Sequence, residues 1–279
     1  MRRGSSFHRA VVAAALALPL FACSSDQEKV QGYLSQADAY VKEGKPREAL
    51  LELRNALKLE PKNADTNYRI AQILTSQGSY PDALFYLRET QRLDPSRTDA
   101  ALDEAKLLLS EDTARAEELV KGVIAREPSN PMAHLRRMEV ALHRANTQEA
   151  LAAAMTAVEL APKDPLYPLQ VGIVKQAQIL EMRASGKTPP DELLQQALAA
   201  YRKSDELYGG NPVVRTNIGK LYLSWGGHPD EAREAFRGAI EAANQRGIVA
   251  ERQQAARSGM DYARIANDPE FGLYALEQL

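Results

Sequence analysis

Residues 33–61 read YLSQADAYVKEGKPREALLELRNALKLEP, and the fold class follows from the punctuation of this stretch. Tyr33, Ala37 and Tyr40 recur three and four residues apart, which places them on one face of an amphipathic helix. Gly44-Lys45-Pro46 breaks that helix, since glycine and proline are the strongest local interruptions of helical backbone. Ala49, Leu53 and Ala56 then line a second helix, which Pro61 terminates because its ring clashes with the preceding turn and it lacks an N–H. Two helices joined by so short a turn form an antiparallel hairpin. Small residues such as Ala37 and Ala49 allow the helices to cross closely, while Tyr40 and Leu53 reach outward. A lone hairpin leaves an apolar face uncovered, so this one requires a neighbour.

The neighbours follow in the chain. Ala49, Ala83, Ala116 and Ala150 fall 34, 33 and 34 residues apart, and Pro61, Pro95, Pro128 and Pro162 keep the same intervals. The second unit carries Ile70-Ala71, Leu74, Gly78, Ala83, Leu87 and Pro95; the third Ala105, Leu108, Ala116, Val120 and Pro128; the fourth Met138, Ala141, Ala150, Ala154 and Pro162. Beyond Pro162 the rhythm loosens. Val171-Gly172 open a fifth unit whose second helix holds Ala197 and Tyr201, 47 residues separating Ala150 from Ala197, so about 13 are inserted. A sixth unit shows Ile218-Gly219, Tyr222, Ala232, Phe236 and Ala239. Gly209 and Asn244 stand where the earlier units have a terminating proline.

These units resemble tetratricopeptide repeats, which have a period of about 34 and a W-x2-L-G-x2-Y, A-x3-F and P pattern. The resemblance implies an all-α fold, a right-handed superhelical solenoid of about six hairpins plus a C-terminal capping helix. It covers residues 30–245, with repeats at about 30–63, 64–97, 98–130, 131–164, 165–211 with the insertion, and 212–245. Residues 246–279 are a capping helix or the start of a further repeat.

Ahead of the repeats, Arg2, Arg3 and Arg9 precede the apolar run AVVAAALALPLF at 10–21, the pattern of a secretory signal peptide and too short to span a bilayer. Leu20, Ala22 and Cys23 then resemble the lipobox of bacterial lipoproteins, although Phe21 is bulkier than that pattern favours. The resemblance implies removal of residues 1–22, acylation of Cys23 and a lipidated tether at 23–29. Several acyl chains anchor stably where one holds marginally. Ser24 after the cysteine implies, by analogy, an outer-membrane lipoprotein facing the periplasm.

Composition narrows the chemistry. Lys plus Arg total 35 against 37 Asp plus Glu, interspersed, so no basic face offers itself to nucleic acid. A single cysteine permits neither an intramolecular disulfide nor a thiolate cluster. His8, His134, His143 and His228 lack helix-spaced ligand partners, so no metal is expected. Ser185-Gly186-Lys187-Thr188 has no preceding glycine or strand to make a phosphate loop. No nucleophile elbow is present. No catalytic residue and no cofactor is expected.

In the resembling family the first helix of each pair lines a concave groove for peptides. The Lys and Asn places of its carboxylate clamp are occupied here by Leu34, Asp38 and Arg69. Leu34, Tyr68, Leu102, Leu135 and Leu169 form one apolar column, and Val41, Leu109, Leu142 and Leu223 another. Two readings stand open. The first column floors a partner-binding groove edged by Arg69, Lys106, Arg136 and Glu139, or it packs between adjacent helices. The insertion at 179–195, with its turn-rich Ser185–Pro190, is either a partner contact or a neutral elongation. The expected function is a non-enzymatic, lipid-anchored scaffold binding protein or peptide partners in the cell envelope, assisting an export, exopolysaccharide or pilus machine. The alternatives are an accessory subunit of an envelope enzyme complex, or a cytoplasmic regulator if the amino terminus is not a signal.

Overall fold

The computed structural model describes residues 26–279; Cys23 and the signal segment lie outside the described residues. The described residues form fourteen helices and no strand: α1 Asp26–Lys42, α2 Pro46–Leu59, α3 Ala64–Ser76, α4 Tyr80–Leu93, α5 Thr98–Leu108, α6 Thr113–Arg126, α7 Pro131–His143, α8 Thr147–Leu160, α9 Leu166–Ala184, α10 Asp191–Tyr208, α11 Pro212–Trp225, α12 Pro229–Arg246, α13 Val249–Ala266 and α14 Pro269–Leu276. The chain divides into two compact units, one ending at Thr66 and the other running Asn67–Leu279.

The helix ends have local causes. Pro61, Pro95, Pro128 and Pro162 each lie two residues past the last helical residue, and the residue before each has left the helical region, with φ from −125° to −138° and ψ from 68° to 88°. A following proline disfavours helical backbone at the residue before it. Several starts are held by side chains: Asp112 accepts from the Arg115 N–H, Asn130 from Met132 and Ala133, Asn146 from Glu149, and Asn211 from Val213. Each such cap satisfies helix donors that would otherwise lack a partner, a contribution of about 1 kcal/mol. Where the terminating proline is missing, glycine takes over. Gly209 ends α10 and Gly247 ends α12 in the left-handed region, at φ 69° and 68°, as helix C-termini commonly do. Asn244, expected at that end, lies inside α12 instead.

In the first unit α1 packs on α2, burying Val30, Leu34, Ala37, Ala49 and Leu53. In the second, α5 pairs with α6, α7 with α8, α9 with α10, α11 with α12 and α13 with α14, and each pair packs on the next. Ala71 of α3 and Leu87 of α4 share a cluster with Tyr68 and Ala100. Glu104 of α5 is buried and tied back to α4, accepting from Arg88 Nε at 2.8 Å and Gln91 Nε2 at 2.6 Å. The insertion lengthens both helices of the fifth pair, α9 to 19 residues and α10 to 18. The C-terminal residues form a hairpin of their own: Tyr262 of α13 stacks on Phe236 of α12 at 5.2 Å and meets Phe271 of α14 edge-on at 5.3 Å.

The crossing inside each hairpin conserves volume rather than identity. Ala71 shares a core cluster with Leu87, Ala105 with Val120, and Met138 with Ala154. In the later pairs the first helix supplies glycine and the second an aromatic ring. A Cβ on Gly172 would lie 2.5 Å from the Tyr201 ring, and one on Gly219 would lie 2.7 Å from Phe236. Interiors packed at crystal-like density require this complementarity.

Candidate functional site

The first helices of successive pairs meet along one face: α5 touches α7, α7 touches α9, α9 touches α11 and α11 touches α13. The predicted apolar column lies beneath this face rather than on it. Leu34, Tyr68, Leu102, Leu135 and Leu169 are all buried, between 3% and 8% exposed, and in the second unit they belong to the hydrophobic clusters that join neighbouring hairpins. The reading in which they pack between helices describes their position. A side chain near the start of a first helix points at the helix beside it, and covering apolar area there removes it from water.

The predicted rim divides as well. Lys106 is exposed, while Arg69 and Glu139 are half-buried. Arg136 is buried, with Nε donating to the Leu102 carbonyl of α5 at 3.3 Å and an Nη donating to the Glu139 carboxylate at 2.9 Å. It is therefore a tie between α5 and α7 and not a groove edge. A buried guanidinium needs both a carboxylate and spare carbonyl acceptors, and the α5/α7 contact provides them. Tyr68 works in the same way one pair earlier: its hydroxyl donates to Asp103 of α5 at 2.8 Å, and the Arg97 guanidinium sits 4.4 Å over its ring. Burial, then the Asp103 charge and hydrogen bond, hold the Tyr68 phenol well above its ordinary range. Between α9 and α11, Gln176 Nε2 donates to Ser224 Oγ at 3.2 Å, while Gln176 Oε1 accepts from Tyr201 of α10 at 2.9 Å.

The last seam is open. A cavity of about 290 Å³ lies between α11 and α13, lined by Pro212, Val213, Thr216, Asn217 and Lys220 on one side and Ala250, Glu251, Gln254 and Ala255 on the other. Among the described residues no side-chain hydrogen bond joins these two helices, and none is made by the side chains of Asn217, Lys220 and Gln254. Glu251 is held by Arg246 at 2.6 Å. Val213 is 52% exposed at the mouth. The site thus offers a small apolar floor beside an amide of α11, an amide of α13 and an ammonium, a set able to hydrogen-bond a peptide backbone and pair with an acid. Sequence reading missed it. Its one local signal is that Val213, Asn217 and Lys220 share a helix face, at intervals of four and three.

Among the described residues no group of three His, Cys, Asp or Glu could hold a metal ion. His134 instead ties to the Pro128 carbonyl, Nε2 at 2.8 Å. No helix of the described residues is long and apolar enough to cross a membrane.

Helix hairpins that cover one another's apolar sides at a fixed sequence period define a helical-repeat protein, in which each unit touches only its neighbours. Comparison with known proteins specifies the repeat. The tetratricopeptide-repeat model matches residues 34–98 and 102–165, so these hairpins are tetratricopeptide repeats. No curated protein sequence matches the chain. Among solved structures, MamA (41-end) from Desulfovibrio magneticus RS-1 is similar over 66% of this chain and 98% of that one, with 19% identity and a TM-score of 0.52. A thermophilic TPR protein of Thermus thermophilus is similar over 70% of this chain and 98% of its own, with 21% identity and a TM-score of 0.56. The human IFIT1 dimer with m7Gppp-AAAA matches 91% of this chain and 58% of that one, with 16% identity and a TM-score of 0.70. At such identities the likeness is one of fold.

Proposed function

We propose that this chain is a non-catalytic, protein-binding scaffold of the bacterial cell envelope, anchored through acylated Cys23 to the outer membrane and facing the periplasm. On this reading it gathers components of an export, exopolysaccharide or pilus machine. The observation that carries the binding role is the open α11/α13 seam, where Asn217, Lys220 and Gln254 have no side-chain partner among the described residues beside a cavity of about 290 Å³. The α3/α5, α5/α7 and α9/α11 seams are each crossed by a side-chain hydrogen bond, whereas the α11/α13 seam presents its amides and ammonium to an incoming chain. The anchor rests on the signal-like segment and on a sole cysteine placed at the lipobox position.

An RNA-binding reading comes from the fold shared with IFIT1, which holds a capped oligonucleotide. The charge balance here, 35 basic against 37 acidic residues, favours protein, because phosphate backbones are bound by an excess of Lys and Arg. The test has two arms. Labelled palmitate should enter the wild-type protein in cells and fail to enter Cys23→Ser. A photo-crosslinking residue at Val213 or Gln254 should capture a discrete envelope protein that the same residue placed at exposed Lys203 on α10 does not. Palmitate labelling that survives Cys23→Ser overturns the anchor, and identical crosslinks from both placements overturn the binding face.

A further inference from the structure

A second cavity lies away from the first-helix seams. It occupies about 300 Å³ between α6, α7 and the start of α8, and it uses another stripe of α7, Arg137, Val140 and Ala141, continued by Arg144 just past the helix end, and not Arg136 and Glu139. Val120 and Ile124 of α6 complete an apolar floor. The volume is at the small end for ligand sites and matches one large apolar side chain with its adjoining backbone.

The rim is charged and unevenly matched. Glu117 is shared by two cations, Lys121 Nζ at 2.7 Å and Arg144 at 2.9 Å, while Arg137 pairs with Glu149 at 3.1 Å. Three cations therefore face two carboxylates around the mouth. The Lys121 hydrogen bond, followed by the attraction of Arg144, holds the Glu117 carboxyl below its usual range, so its charge is fixed at neutral pH and the surplus positive charge persists. Lys121 is 72% exposed and Arg144 52% exposed at their side chains; both can turn to an incoming acid while Glu117 keeps the other.

We propose that this cavity is a docking point for a protein segment presenting a large apolar side chain immediately followed by Asp or Glu, the apolar group seated on Val120, Ile124 and Val140 and the acid taken by Lys121 or Arg144. The inference rests on the scaffold reading and adds the chemistry of one docking point. Charge complementarity selects the occupant. A basic segment would meet the surplus cation, and a purely apolar one would leave the rim unmatched. Anchor side chains in small pockets carry most of the affinity of such contacts, and charge-assisted hydrogen bonds add to it.

The test is a titration of the methyl-labelled full chain with four blocked tripeptides, Gly-Leu-Glu, Gly-Leu-Gln, Gly-Leu-Lys and Gly-Gly-Glu. Gly-Leu-Glu should shift the Val120, Ile124 and Val140 methyl resonances saturably. Gly-Leu-Gln should bind roughly five-fold more weakly, Gly-Leu-Lys more weakly still, and Gly-Gly-Glu without saturation. Ala125→Trp, a change at an exposed residue of the mouth, should abolish the shifts with circular dichroism unchanged, and Lys121→Gln should narrow the gap between the Glu and Gln peptides. Equal affinity for all four peptides, shifts confined to other helices, or saturation that survives Ala125→Trp overturns the proposal. These outcomes do not depend on crosslinking from Val213 or Gln254, so the docking point and the scaffold reading can fail separately.

Discussion

The α5/α7 seam and the α11/α13 seam are formed by equivalent helices of the same repeat, yet one is tied shut and the other open. At α5/α7 a buried guanidinium, Arg136, reaches a main-chain carbonyl of the neighbouring first helix and a carboxylate of its own. At α11/α13 three polar side chains face a cavity and hydrogen-bond to none of the described residues. The repeat therefore specifies where helices go without specifying whether the surface between them is structural or available. A long side chain that finds its partner in the next hairpin stabilises the stack. One that finds none remains for a ligand.

The contrast can be broken most forcefully at Arg136. Arg136→Ala strands Glu139 in a half-buried position and should lower stability by about 1.5 to 3 kcal/mol, the range for hydrogen bonds to charged groups, read as a lower urea midpoint with an unchanged slope. Charge reversal at Arg136 would therefore report on folding, whatever the partner does. Tyr68→Phe, which deletes only the hydroxyl donated to Asp103, should cost about 1 kcal/mol.

Alkaline pH sharpens the same comparison. Tyr68 has its phenol raised by burial and by Asp103, and burial raises Tyr201 and Tyr167 too. In the unfolded chain a tyrosine loses its proton near pH 10. Above that pH the folded chain retains protons the unfolded chain has released, so stability is complete below about pH 10 and declines as pH rises beyond it. Stability measured at pH 8 and pH 11 should fall less for Tyr68→Phe than for the wild type.

The smallest structural effects belong to the open seam. Asn217→Ala and Lys220→Ala should each change stability by no more than about 0.5 kcal/mol, as surface substitutions without partners do, while reducing crosslinking from Val213. A large loss of stability in either variant would mean that this seam, too, is a structural tie.

Much of the architecture was readable along the chain because its causes are local. Each of the four prolines stops its helix two residues earlier, and the alanine column marks the crossings, since only small residues permit close approach. The candidate site was readable in part. Tyr68, Leu102, Arg136 and Glu139 do come together along the first helices, but as core and ties. The column's burial could not be inferred from periodicity, because a residue directed at the next hairpin and one directed at solvent can share the same three-and-four spacing. Asn217, Lys220 and Gln254 escaped notice for the complementary reason: their availability depends on what their neighbours fail to supply.

The amino-acid order by itself determined the hairpin period, the four proline stops and the small residues at the crossings, because these rest on backbone preference and on contacts within one hairpin. Only the tertiary structure decided which polar side chains are engaged. Tyr68 and Asp103 are 35 residues apart, Arg136 and Leu102 are 34 apart, and Gln176 and Ser224 are 48 apart. Such pairs meet because one hairpin stacks on the next at a particular rotation, and that rotation is set by the whole packed interface and not by any single residue.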